Sequence, residues 1–161
     1  MNDLELGEIP LATKLGNQIH NFSNNDSNLL QMGLYKDIMK KYPFVIRKGY
    51  SPIYNCHGMT FASRRTGIFK LSEINKIIIE DEYIEIINLD NVLPGDVALY
   101  FEYGEITHSA IVISEPKENL LSRKVLSKWG GGEEIIHGER DCPYAQATIK
   151  YFRVKLDAIE F

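Results

Sequence analysis

Cysteine is scarce in this chain, with two in 161 residues. That is too few for a disulfide-stapled secreted scaffold, and either residue can remain a free thiol. An excess of basic charge is also missing. Lysine and arginine number 18 against 22 acidic residues, mixed along the chain, for a net charge of −4. No basic footprint exists, so nucleic acid is not an expected partner. Long apolar runs are absent as well. Ile77-Ile78-Ile79 is followed at once by Glu80-Asp81-Glu82, which leaves no membrane-spanning stretch and no expected membrane partner. The start, Met1-Asn2-Asp3-Leu4-Glu5, has neither a basic region nor an apolar signal core. The expected location is therefore cytoplasmic, with export by a specialised route that cleaves no signal also compatible. Internal repeats and low-complexity tracts are not found.

What remains is an ordinary globular composition, 44% apolar and 25% charged. The length suits one domain over 1–161. Residues 1–28, rich in asparagine, read as an N-terminal arm packed by Leu11, Leu15 and Ile19, with His20 facing solvent. A first helix, capped by Asp26 or Ser27, carries Leu30, Leu34, Ile38 and Tyr42 at i+4 spacing and ends at Pro43. Phe44 to Ile46 is a short extended piece. Ser72 caps a further helix over Glu73 to Glu80, where the β-branched Ile74, Ile77 and Ile78 make a strand the competitor. The second half changes character. Tyr83–Ile87, Val97–Phe101, Ile106–Ser114, Ser122–Trp129 and Ala147–Val154 read as strands. Leu93-Pro94-Gly95-Asp96 and Glu102-Tyr103-Gly104-Glu105 are the turns between them. Helices first and an antiparallel meander afterwards predict an α+β domain, its N-terminal helices packed on the sheet.

The run Tyr54-Asn55-Cys56-His57-Gly58-Met59-Thr60-Phe61-Ala62 carries the chemistry. Asn55 is a good helix N-cap and Cys56 the first residue inside, with Gly67 the expected C′ glycine. A thiol there lies at the positive end of the helix dipole, which favours the thiolate. The plain alternative is a small buried hydrophobe, the commonest role of a lone cysteine. Arg64 and Arg65 are expected to complement the dipole at the helix end and to pair at the surface. His108 lies in the strongest strand, where period-two alternation puts it on one face with Ile106, Ala110 and Val112. A structural core histidine is the alternative for it.

Asn55-Cys56-His57-Gly58, then Leu93-Pro94-Gly95-Asp96-Val97-Ala98-Leu99-Tyr100, then His108-Ser109-Ala110-Ile111-Val112 together resemble the NlpC-like and CHAP-type cysteine peptidases and amidases. The resemblance covers roughly residues 50 to 130. It implies a papain-like, NlpC-related fold and a cysteine-dependent hydrolase, peptidase or amidase, or an acyltransferase, acting on a peptide or amide bond, with cell-wall amides among the candidate substrates. Cys56 would be the nucleophile and His108 its general base, and the backbone N–H of Cys56 would form part of the oxyanion hole. Tyr54, Asn55, His57 and Trp129 would border the oxyanion or substrate side. No cofactor is implied.

The chain departs from that pattern in two places. His57 occupies the position where a small residue usually follows the cysteine; on a helix its side chain is turned about 100° from that of Cys56. The strand that should supply an orienting third residue reads Val125-Leu126-Ser127-Lys128-Trp129, leaving Ser127 as a weak candidate. Two other classes follow from the same residues. One is a papain-like domain that has lost catalysis and serves as a binding or immunity module. The other is a zinc site drawn from Cys56, His57, His108, His137 and Cys142, which lacks any Cys-x-x-Cys or His-Glu-x-x-His motif. Cys142-Pro143-Tyr144 reads more simply as a buried turn, and Glu133-Glu134 as a solvated loop.

Overall fold

A computed structural model describes residues 7–23, 36–115 and 122–155. Most of the expected first helix lies outside these residues; within them, residues 36–39 are helical. The elements that follow are strand β1 (Phe44–Lys48), helices α1 (Cys56–Phe61) and α2 (Leu71–Glu80), and strands β2 (Tyr83–Glu85), β3 (Val97–Glu102), β4 (Glu105–Ser114), β5 (Lys124–Lys128), β6 (Glu134–Gly138) and β7 (Thr148–Val154). The strands form one antiparallel sheet in the order β1-β6-β5-β4-β3-β7-β2. The domain is α+β. Among the described residues its two longer helices follow the first strand instead of preceding the sheet, which corrects the expected N-terminal helical layer. No helix among the described residues is long and apolar enough to cross a membrane.

Local chemistry explains most of these elements. β3 and β4 are joined by Tyr103-Gly104, both at positive φ (52° and 83°), the geometry of a two-residue hairpin turn that matches strand twist. Its register brings Tyr100 opposite His108, but a shift between Tyr100 and Phe101 inserts an extra residue into β4. Ile106 is thereby turned to the face opposite His108, Ala110 and Val112, against the simple alternation. It packs with Val97, Leu99 and Phe152 instead.

Each face of the sheet buries its own cluster. Ala98, Ala110, Ser127 and Ile135 align across four strands, and Val125 aligns with His137. This face packs with Val92, Trp129, Cys142, Ala147 and Tyr151. On the other face, Val97 and Leu99 meet Ala62, Ile68, Ile74 and Ile77 from the helical segment and Ile19 from the arm. Ile74 and Ile77 settle as a buried helix face, since sequestering both at helical spacing outweighs their β preference. The helix starts at Leu71, with Lys70 as an N-cap that makes no side-chain bond, so Ser72 lies inside it and does not cap it. Leu15, expected to pack the arm, is 67% exposed, whereas Ile19 is buried.

Two stretches differ from expectation for tertiary reasons. α1 ends at Phe61, and Gly67 instead bridges to Phe22 of the arm. Ser63 and Arg64 adopt the left-handed conformation that stops the helix, and the Arg64 N–H returns to the Gly58 carbonyl. Arg64 is held there by a two-point ion pair to Glu134 (2.5 and 3.0 Å). Glu134 opens β6 and is buried, so the solvated-loop reading is overturned.

Candidate active site

α1 is short but firmly placed. Asn55 caps it, its side-chain oxygen accepting from Gly58 N–H at 2.9 Å and from Ile68 N–H at 3.1 Å. The amide nitrogen of Asn55 donates to the Ile68 carbonyl at 2.7 Å. Asn55 thus ties the helix start to the following loop and is a structural cap. Gly58 is required by contact: a Cβ there would lie 1.9 Å from the Thr66 carbonyl oxygen.

The sheet opens where α1 begins. Pairing of β4 with β5 starts at Ala110–Ser127, so Glu105 to Ser109 run on without β5 beside them. Ser109 faces α1: its hydroxyl lies 2.9 Å from Nδ1 of His57 and 3.1 Å from the hydroxyl of Thr60. His108 points to the other face, completely buried, yet its imidazole and the Cys56 thiol interact. Cys56 therefore stands at the gap in reach of both faces. Cys56 is buried, which opposes ionisation of its thiol, but the imidazoles of His57 and then His108 outweigh that and hold its pKa well below the ordinary thiol value. Reciprocally, burial disfavours the His57 imidazolium while the Cys56 charge raises its pKa above the usual histidine value. The backbone N–H of Cys56, first in the helix, is outside the helical ladder.

His108 is packed by aromatic rings. Tyr144 stacks on it at 4.2 Å between centroids, and Tyr100 meets it edge-on at 5.1 Å. Among the described residues neither ring nitrogen has a hydrogen-bond partner of good geometry. Ser127 does not orient it. The Ser127 hydroxyl is committed to Nε2 of His137 at 2.6 Å, because Nδ1 of His137 donates to the Gly138 carbonyl at 2.7 Å. Burial pushes the His137 pKa down to about 4.

Lys128 closes the opposite side. It is fully buried, donating to the carbonyls of Ser51 (2.8 Å) and Gly132 (2.6 Å), with its ammonium 4.9 Å from the Tyr54 ring centroid. Burial lowers its pKa to about 8, against the pull of Glu134 and Cys56. Tyr54 donates to Glu134 at 2.6 Å, so its hydroxyl serves the Arg64–Glu134 cluster. Trp129 is not a cleft wall. It lies in the core among Tyr42, Phe44 and His137.

The structure thus brings Cys56, His57 and His108 together. It separates Ser127 and Trp129 from them, and gives Asn55 and Tyr54 structural partners. His57, expected to point away, meets the thiol because α1 is pinned at Ser109. Tyr144 joins the site from a turn that sequence alone did not bring there, and Lys128 from the strand expected to border it. Of the five candidate zinc ligands, His137 is engaged by Ser127 and Gly138, and Cys142 is buried in its turn. No group of three or more His, Cys, Asp or Glu side chains among the described residues is arranged to hold a metal ion. Compared with family models, curated proteins and solved structures, the chain matches none.

Proposed function

We propose that this domain is a cysteine-dependent hydrolase of peptide or amide bonds, built on a papain-like frame related to the NlpC and CHAP groups. One observation carries the reading: the Cys56 thiol lies at a helix start between two imidazoles that overcome its burial and favour the thiolate. The thiolate would add to the substrate carbonyl while the Cys56 N–H supports the developing oxyanion. The imidazolium then protonates the departing amine as the C–N bond breaks, leaving a thioester at Cys56. Water hydrolyses the thioester, or an amine intercepts it in acyl transfer. No cofactor enters this scheme. Both free thiols suit a reducing compartment such as the cytoplasm.

A binding module on the same frame is favoured by one feature: among the described residues, no hydrogen bond of good geometry orients His108. Alkylation of the intact protein with iodoacetamide across pH, with the modified residue identified by mass, separates the two. The hydrolase reading requires Cys56 to react well below the free-thiol pKa of about 8.5. Cys142, pushed up to about 11 by burial, should stay unmodified. A Cys56 that reacts only at ordinary thiol pH, or only on unfolding, would favour the module.

A further inference from the structure

The hydrogen bonds around His57 can be assigned a direction. The Thr60 hydroxyl lies 3.0 Å from the Cys56 carbonyl, which can only accept, so Thr60 spends its proton there. Ser109, 3.1 Å from Thr60 Oγ1, must then donate to it. With its own proton committed, Ser109 Oγ can only accept from His57 Nδ1, 2.9 Å away. Nδ1 of His57 therefore carries hydrogen in the neutral ring, and Nε2 is the nitrogen left to act as a base. His57 thus has a buried hydrogen-bonding partner that fixes both ring position and tautomer, which among the described residues His108 does not.

We infer that His57, oriented by the Ser109–Thr60–Cys56 carbonyl relay, is the group that takes the Cys56 proton, with Ser109 and Thr60 as its positioning residues. The inference rests on the hydrolase reading above. In that step the Sγ–H bond breaks, the proton moves to Nε2 of His57, and the electron pair stays on sulfur. His108, buried and among the described residues without a hydrogen-bond partner of good geometry, supports the thiolate from the other face. The remaining titratable groups that couple to the thiol are Lys128 from β5 and Tyr144 from the turn before β7. Neither has the relay geometry of His57.

The test is the pH profile of iodoacetamide alkylation at Cys56 in the full chain. His57→Gln should move the midpoint up toward the free-thiol value of about 8.5, by more than His108→Gln does. Ser109→Ala should shift it in the same direction by less, with recovery in Ser109→Thr. A low midpoint that survives His57→Gln and Ser109→Ala but is lost in His108→Gln would overturn the inference and leave the hydrolase reading standing. An ordinary thiol midpoint in the unmodified protein would instead remove the hydrolase reading itself. Nitrogen-15 NMR of Cys56→Ser gives an arm that does not depend on the His57 variant folding. Neutral His57 should carry hydrogen on Nδ1, and an Nε2–H tautomer would overturn the relay.

Discussion

The imidazole of His108 lies face to face with the phenol ring of Tyr144, centroids 4.2 Å apart and planes within 7°. Stacking does for this ring what a hydrogen-bond acceptor does in a conventional triad: it limits rotation, though it leaves the tautomer free. Tyr144→Phe should keep the stack and leave Cys56 alkylation nearly unchanged. Tyr144→Ala should raise the pH needed for alkylation and lower stability by about 1–3 kcal/mol. Parallel thiol titration and urea unfolding of the two variants check this, and equal behaviour would show that stacking does not hold His108.

Gly58 makes the approach of α1 to the following loop possible. Gly58→Ala would place a methyl group 1.9 Å from the Thr66 carbonyl oxygen, a backbone atom that cannot rotate away. The expected loss is about 1–3 kcal/mol or more from overpacking, even though alanine is the better helix former. The helix start should shift with it, so the alkylation midpoint of Cys56 should rise. A denaturation midpoint at or above that of the unmodified protein would contradict the contact.

Stability should fall in acid through His137. Burial holds its folded pKa at about 4, below the unfolded value of about 6.5. Between these values the unfolded chain binds more protons, so its stability contribution is complete above about 6.5 and is lost as pH falls toward 4. The loss is on the order of 3 kcal/mol. His137→Gln preserves a donor for Gly138 and an acceptor for Ser127 but does not titrate. Its stability curve should be flatter than that of the unmodified protein between pH 6.5 and 4.

Glu134 is the hub of a buried cluster, accepting from Tyr54 and from Arg64 at two points. Glu134→Ala leaves the Tyr54 hydroxyl without an acceptor and takes away the carboxylate that favours protonated Lys128. A loss of about 2–4 kcal/mol is expected. Lys128 should also give up its proton at lower pH than in the unmodified protein, readable by selective amine labelling. Glu134→Gln, which still accepts from Tyr54, should lose less.

The sequence by itself determined the local events. Asn55 before Cys56 set the start of α1, Tyr103-Gly104 set the hairpin, and the apolar run of β3 with the strand patterns of β4 and β7 set most of the sheet, because caps, turns and periodicity act within a few residues. It also singled out Cys56 and His108 as chemistry-bearing residues. Only the tertiary structure decided which groups meet. Glu133-Glu134 carries the pattern of a solvated loop, yet Glu134 is a buried strand start, met by Arg64 from just after α1 and by Tyr54 from just before it. Ile106 changes face through a bulge that no periodicity announces. Ser127 has a hydroxyl on the correct face but bonds to His137 of β6, a choice between two flanking strands that the sequence does not announce. His57 is turned toward the thiol by Ser109, a residue 52 positions away. Such contacts depend on how the sheet twists and opens between β4 and β5, which is a property of the assembled chain and not of any window along it.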